Sequence, residues 1–221
     1  MSGQMNWASG RQRWIFFISL ISFVGFIIMA ALVKFQLLAP LDLAIITSIQ
    51  NLEHPFITDI AIGLSFIGSI GPVTVLCLIV IAVLYWVLRR RTEILLLIVV
   101  VFGSSILNLL LKLIFQRVRP DIHRLVEITG YSFPSGHSMG AFSFYSVLAY
   151  LLWRHIDSRT GRGVLIAFAI IMILSIGLSR IYLGVHYPSD ILGGYLASCA
   201  WVSFMVRYYE RRMGKRGFPD A

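Results

Sequence analysis

The chain has 221 residues, 58% of them apolar and 13% charged, with a formal net charge of +9 and a mean hydropathy of +0.83. A water-soluble domain of this size cannot hide so much apolar surface, so lipid must be its main solvent and the soluble globular classes are excluded. The basic excess is an orientation signal: with the N-terminus inside, 13 of the 19 Lys and Arg residues fall on inner segments, which reads as membrane topology rather than nucleic-acid binding.

Residues 1–13 are polar, carry Arg11 and Arg13, and read as a cytoplasmic cap. Six runs are almost free of charge: Trp14–Val33, Ile70–Leu88, Ile94–Leu111, Ser138–Trp153, Gly163–Ser179 and Ile191–Val206. Each approaches the ~17–25 residues that a helix needs to cross a bilayer. They are too long and too uniformly apolar for barrel strands. The first is longer than the ~7–15-residue apolar core of a signal peptide, so it reads as a retained helix. The expected fold is one domain over residues 1–221, an all-α polytopic membrane protein with six transmembrane helices in a bundle.

Between the first two runs, Pro40–Asp59 reads equally as a packed loop or as an amphipathic helix on the outer face. In the helical reading Leu41, Ala44, Ile45, Ile49 and Leu52 share the apolar side, with Asp42, Gln50 and Glu53 elsewhere on the wheel. Phe56–Gly68 is apolar but short, and reads either as a half-span or as the outer part of a kinked second helix. Arg89-Arg90-Arg91 marks a cytoplasmic stop, Thr92 is a candidate N-cap with Glu93 beside it, and Arg207–Arg216 forms a basic tail. Gly193-Gly194 and Ala197 predict close packing of the last helix. Cys77 and Cys199 lie in apolar runs and read as small buried hydrophobes.

Three polar clusters fall at the outer ends of the later helices. The first runs from Lys112 to Arg119-Pro120. The spacing puts both cations on one helical face if the helix persists, and Lys112, among Leu and Ile, wants an anion. Arg117 and Arg124 read as interfacial anchors. The second is Pro134-Ser135-Gly136-His137, where Ser135 is a natural N-cap and a helix N-terminus offers free N–H groups to an anion. The third is Ser179–Asp190, which holds Arg180, His186 and Asp190, with Pro188 suited to a first helical turn. Three cations, two histidines and a carboxylate on one membrane face suit a dianionic phosphate ester. No carboxylate cluster of metal-ligand character accompanies them, so the expected metal and cofactor content is none, with cations in the place of Mg²⁺. Spacing alone does not say which histidine attacks; the nearby Asp190, able to accept from Nδ1–H, favours His186.

The combination K-x6-R-P (Lys112–Pro120), P-S-G-H (Pro134–His137) and S-R-x5-H-x3-D (Ser179–Asp190) resembles the three-part signature of the type 2 phosphatidic acid phosphatase superfamily. The motifs span residues 112–190, and the six-span layout extends the resemblance to nearly the whole chain. Vanadium-dependent haloperoxidases share them but are soluble, which this composition excludes. The resemblance implies a metal-independent membrane phosphatase in which His186 becomes phosphorylated, Asp190 orients it, and His137 protonates the leaving group and then assists water. It implies that Lys112, Arg119, Ser135, Gly136 and Arg180 hold the phosphoryl oxygens. It points to phosphatidylglycerophosphate as substrate, with undecaprenyl pyrophosphate and phosphatidate as alternatives. The expected partners are the lipid phosphate and bilayer lipids, with no nucleic acid and no obligate protein partner. The expected location is the cytoplasmic membrane, both termini cytoplasmic and the site at the outer face. A lipid-phosphate transporter is the competing class, disfavoured because the polar groups sit at one face rather than the midplane and no inverted repeat is evident.

Overall fold

The computed structural model describes residues 2–215, all helix and connecting loop. Of the polar segment 1–13, residues 2–13 are helical and form the start of helix α1 (Ser2–Lys34); Met1 lies outside the described residues. Helix α1 is followed by α2 (Ala39–Gln50), α3 (Pro55–Ile67) and α4 (Ile70–Ala82), which runs on into a π-helical turn at Val83–Val87. Next come α5 (Arg91–Phe115), α6 (Gly136–Leu152) with a 3₁₀ turn at Trp153–His155, α7 (Arg159–Tyr182) and α8 (Pro188–Lys215). Arg216 of the basic tail lies outside the described residues.

Each of the six apolar runs maps onto one helix. Five of these are long and apolar enough to span a bilayer among the described residues: α1, α4 with its π turn, α5, α7 and α8. The sixth, α6, has only 17 residues, about 26 Å at the helical rise. It occupies the centre of the bundle, packed against α4, α5, α7 and α8. Its Ala141, Phe144, Val147 and Leu151 are buried with Leu97 and Val100 of α5 and Ile173 and Ile176 of α7. By contrast α1 presents Trp14 (71% exposed) and Ile21 (69%) outward. An apolar surface of that extent is stable only against lipid.

Close packing of the last helix is realised as the glycines predict. A Cβ at Gly193 would stand 2.5 Å from the Phe133 ring, and one at Gly194 would stand 3.1 Å from the Ser135 carbonyl. Phe133 stacks on Phe26 and meets Phe115 edge-on, so α1, α5 and α8 close around the residue that precedes the Pro134–His137 segment. At the opposite end Glu210 of α8 accepts from Gln12 of α1 (2.7 Å) and Tyr150 of α6 (3.1 Å) and pairs with Arg11 (2.9 Å).

Local alternatives left open by the sequence are settled, and the Thr92 cap is corrected. Residues 39–50 form the amphipathic helix rather than a loop. Asp42 and Ile46 are buried, whereas Leu41 and Leu43 are exposed. Residues 55–67 form their own short helix, capped by His54 Nδ1 on the Phe56 amide (3.2 Å) and separated from α4 by Gly68-Ser69. Thr92 is not a cap, because α5 begins at Arg91 after Arg90. Both cysteines are free; Cys77 is buried and Cys199 partly so.

Candidate active site

Helix α5 ends at Phe115, where Gln116 turns into the left-handed region at φ 46°. Lys112 and Arg119 therefore do not share a helical face. Arg119 reaches the site from an extended loop instead, and its guanidinium is fixed by carbonyls: Nε donates to Gly130 (2.9 Å), Nη1 to Val185 (2.8 Å) and Nη2 to Thr129 (3.3 Å). With only 6% of its surface exposed, burial pulls its pKa below the ordinary arginine value.

The loop between α7 and α8 carries His186, 1% exposed. Gly184 at φ 72° turns the chain there. Pro188, lacking an N–H, begins α8, and Asp190 in its first turn faces back toward the imidazole. His186 Nδ1 lies 3.3 Å from Asp190 Oδ2, and Nε2 lies 3.1 Å from Arg119 Nη1. An arginine only donates, so Nε2 is the acceptor and the ring proton sits on Nδ1, toward the carboxylate. Burial holds the His186 pKa at about 4, with Arg119 and Arg180 pushing the same way and Asp190 opposing. At neutral pH the imidazole is therefore uncharged, with a lone pair on Nε2. Asp190 is itself immobilised: Oδ2 also accepts from the Ser132 hydroxyl and the Tyr187 amide (2.9 Å), and Oδ1 accepts from Arg117 (2.6 Å).

Ser135 caps α6, its Oγ accepting from the Ser138 amide at 3.4 Å, while its own amide donates to the Asp190 carbonyl (3.1 Å). Gly136 permits close approach of Asn108, whose Nδ2 donates to the Pro134 carbonyl (3.0 Å). His137, half-buried in the first turn of α6, lies within electrostatic range of Arg180, His186, Lys112 and Arg119. Arg180 at the end of α7 is 3% exposed; one Nη donates to Ser65 of α3, and its Nε is buried with no protein partner. Lys112 makes no hydrogen bond or ion pair with described residues and lies within range of Arg119, Arg180 and Asp190.

The structure thus brings all eight sequence-predicted site residues to one end of the bundle. It also adds residues that the sequence reading missed. Arg117, read as an interfacial anchor, is a half-buried bridge from Asp42 (2.8 Å) to Asp190 (2.6 Å), its guanidinium lying over the Tyr187 ring at 4.0 Å. Arg124 stays at the loop surface, donating to Pro120 O (2.6 Å). Ser132, Ser65, Asn108 and Asp42 were likewise not singled out.

Fold and site together define a helical membrane protein whose polar end is organised around a buried His–Asp pair ringed by cations. Residues 93–214 match the model of the PAP2 superfamily, and the chain belongs to that superfamily. It is 34% identical over 194 residues to phosphatidylglycerophosphatase B of Bacillus subtilis, covering 86% of this chain and 94% of that protein. The crystal structure of a transmembrane PAP2 type phosphatidylglycerolphosphate phosphatase from Bacillus subtilis superposes with a TM-score of 0.80 at 30% identity, over 87% of this chain and 96% of that one. The lipid A 1-phosphatase of Rhizobium etli is 33% identical over 140 residues, 53% of this chain and 56% of that protein. The chain is an integral membrane protein, as its lipid-facing helices and its likeness to a transmembrane phosphatase both require.

Proposed function

We propose that the protein is a membrane lipid phosphatase that hydrolyses phosphatidylglycerophosphate to phosphatidylglycerol without a metal, through a phosphohistidine on His186. The observation that carries this reading is the His186 geometry: Nδ1 faces Asp190, while Nε2 carries the lone pair and faces the cation Arg119. The near-complete match to the Bacillus subtilis phosphatidylglycerophosphatase supports the choice of substrate.

In the first step the Nε2 lone pair attacks phosphorus, and the bond from phosphorus to the lipid alcohol oxygen breaks. His137 gives its proton to that oxygen as it leaves. The dianionic ester supplies the negative charge that lets His137 hold a proton among three cations. In the second step His137 takes a proton from water as the water oxygen attacks phosphorus; the P–N bond breaks and inorganic phosphate leaves. Lys112, Arg119 and Arg180 bind the equatorial oxygens, with the capped start of α6 at Ser135 and Gly136. Where metal-dependent sites gather carboxylates, this one gathers cations; among the described residues no group of three or more His, Cys, Asp or Glu is placed to hold a metal ion.

A groove of about 580 Å³ between α1, α5 and α8, lined by Phe16, Leu20, Phe23, Leu107, Leu111 and Trp201, offers room for acyl chains. The groove runs from Phe26 and Leu111, one residue before Lys112 in the chain, to Arg207 and Arg211. The charge asymmetry supports cytoplasmic termini and a site at the outer face; labelling of single cysteines at Asp121 and Arg159 from either side of sealed cells reads that orientation. Turnover of phosphatidylglycerophosphate, phosphatidate and undecaprenyl pyrophosphate, measured side by side in mixed micelles with and without EDTA, tests the substrate. The expected result is the highest kcat/KM on phosphatidylglycerophosphate, unchanged by EDTA. Highest kcat/KM on undecaprenyl pyrophosphate reassigns the substrate, and loss on chelation with recovery on Mg²⁺ overturns the metal-independent mechanism.

A further inference from the structure

Asp42 is 2% exposed on a helix whose neighbouring leucines face outward. Burying a carboxylate is costly unless it is paired and fully hydrogen-bonded. Here Oδ2 accepts from Arg117 Nη2 (2.8 Å) and the Ser189 hydroxyl (2.6 Å), and Oδ1 accepts from the Ser189 amide (3.0 Å). Ser189 is the second residue of α8, and Pro188 before it has no N–H. Asp42 therefore caps, from a different helix, the helix start that bears Asp190. Arg117 closes the circuit, its Nη1 donating to Ser189 Oγ (2.7 Å) and Asp190 Oδ1 (2.6 Å).

We propose that Asp42 and Arg117 are positioning residues for phosphoryl transfer: α2 supplies a carboxylate that, through Arg117, fixes Asp190 and thereby the His186 imidazole. This inference rests on the reading of His186 as nucleophile. Two effects act together. With Asp42 present, Arg117 is divided between two carboxylates and occupies only Oδ1 of Asp190, leaving Oδ2 for His186 Nδ1. Without it, the guanidinium fork is free to take both oxygens of Asp190, which competes with the imidazole. The second effect is charge. Asp42, Arg117 and Asp190 together carry one net negative charge beside His186. When Nε2 forms its bond to phosphorus the proton stays on Nδ1 and the ring becomes cationic, so that net charge favours the transition state over the ground state. Removing Asp42 brings the triad to zero.

The test is lipid phosphate turnover and phosphoenzyme formation by the full chain in detergent micelles, with wild type and His186→Ala alongside. Asp42→Asn keeps an acceptor for the Ser189 amide but loses the charge. It is expected to lower kcat about 10- to 100-fold with KM within about twofold. Adding Arg117→Gln to Asp42→Asn returns the triad to one net negative charge and is expected to recover part of that kcat, a rescue that a purely structural cap does not produce. Arg117→Lys keeps its charge but not the two-sided fork and is expected to lose kcat as Asp42→Asn does. Wild-type kcat in Asp42→Asn or Arg117→Lys, a loss confined to KM, or a double variant worse than Asp42→Asn overturns the inference. An inactive wild type overturns the phosphatase reading and this inference together; an active wild type with unaffected variants overturns the inference alone.

Discussion

Gly184→Ala isolates how tightly the nucleophile loop is set. Gly184 lies at φ 72°, and a Cβ there would stand 2.1 Å from the His123 carbonyl oxygen and 2.8 Å from Gln50 Nε2. The left-handed conformation costs a non-glycine residue about 1–2 kcal/mol. Overpacking against atoms that cannot swing away adds about 1–3 kcal/mol, for a total of about 2–5 kcal/mol. His123 O is backbone, and Gln50 Nε2 is already committed to it (2.6 Å) and to Tyr182 O (3.3 Å), so neither yields cheaply. Relief requires the loop to part from residue 123 by roughly 1 Å, a displacement that carries Val185 and His186 with it and costs on the order of 100-fold in turnover. Gly130→Ala is the matched control. It has φ 81° but nothing within 4 Å of its Cβ, so it adds no clash to the conformational cost of about 1–2 kcal/mol; its carbonyl holds Arg119 Nε, so it loses some turnover but much less than Gly184→Ala. Thermal unfolding in detergent and kcat on phosphatidylglycerophosphate are measured for both. Gly184→Ala within twofold of wild type, or Gly130→Ala equally inactive, refutes the reasoning.

Two further outcomes follow from the geometry. ¹⁵N-histidine NMR should place the His186 titration near pH 4, with free imidazole available throughout the neutral range. Because that value is depressed relative to the unfolded chain, which ordinarily protonates near 6.5, acidification from about 6.5 toward 4 protonates the unfolded state first, and stability falls as pH falls. Arg119→Gln removes a facing cation and moves the midpoint up; a wild-type midpoint near 6.5 contradicts the burial argument. Ser65→Ala, on α3, removes the hydroxyl that holds Arg180. A hydrogen bond to a charged group is worth about 1.5–3 kcal/mol, so kcat/KM should fall roughly tenfold or more; unchanged kcat/KM excludes Ser65 as an anchor.

The six apolar runs were legible because lipid demands continuous hydrocarbon, and each maps onto one helix. The same solvent made α2 hard to read. An apolar face normally marks the inside of a protein, but at a membrane surface lipid solvates Leu41 and Leu43 while the protein interior claims Asp42. The three motif clusters were legible as charge at the ends of apolar helices, and topology alone put them at one end of the bundle. Arg117 and Ser132 were not, because their partners are distant in sequence: Asp42 lies 75 residues from Arg117, and Asp190 lies 58 from Ser132. The helical register from Lys112 to Arg119 failed for a local reason, since Gln116 leaves the helical region.

The central claim is that Nε2 of His186 takes the phosphoryl group. Acid-free quenching of the enzyme with ³²P-labelled phosphatidylglycerophosphate, followed by peptide mapping, tests it directly. The account predicts label on the peptide bearing His186, more of it in His137→Asn where water attack is slowed, and none in His186→Ala. Label on His137, or full turnover in His186→Ala, would contradict it.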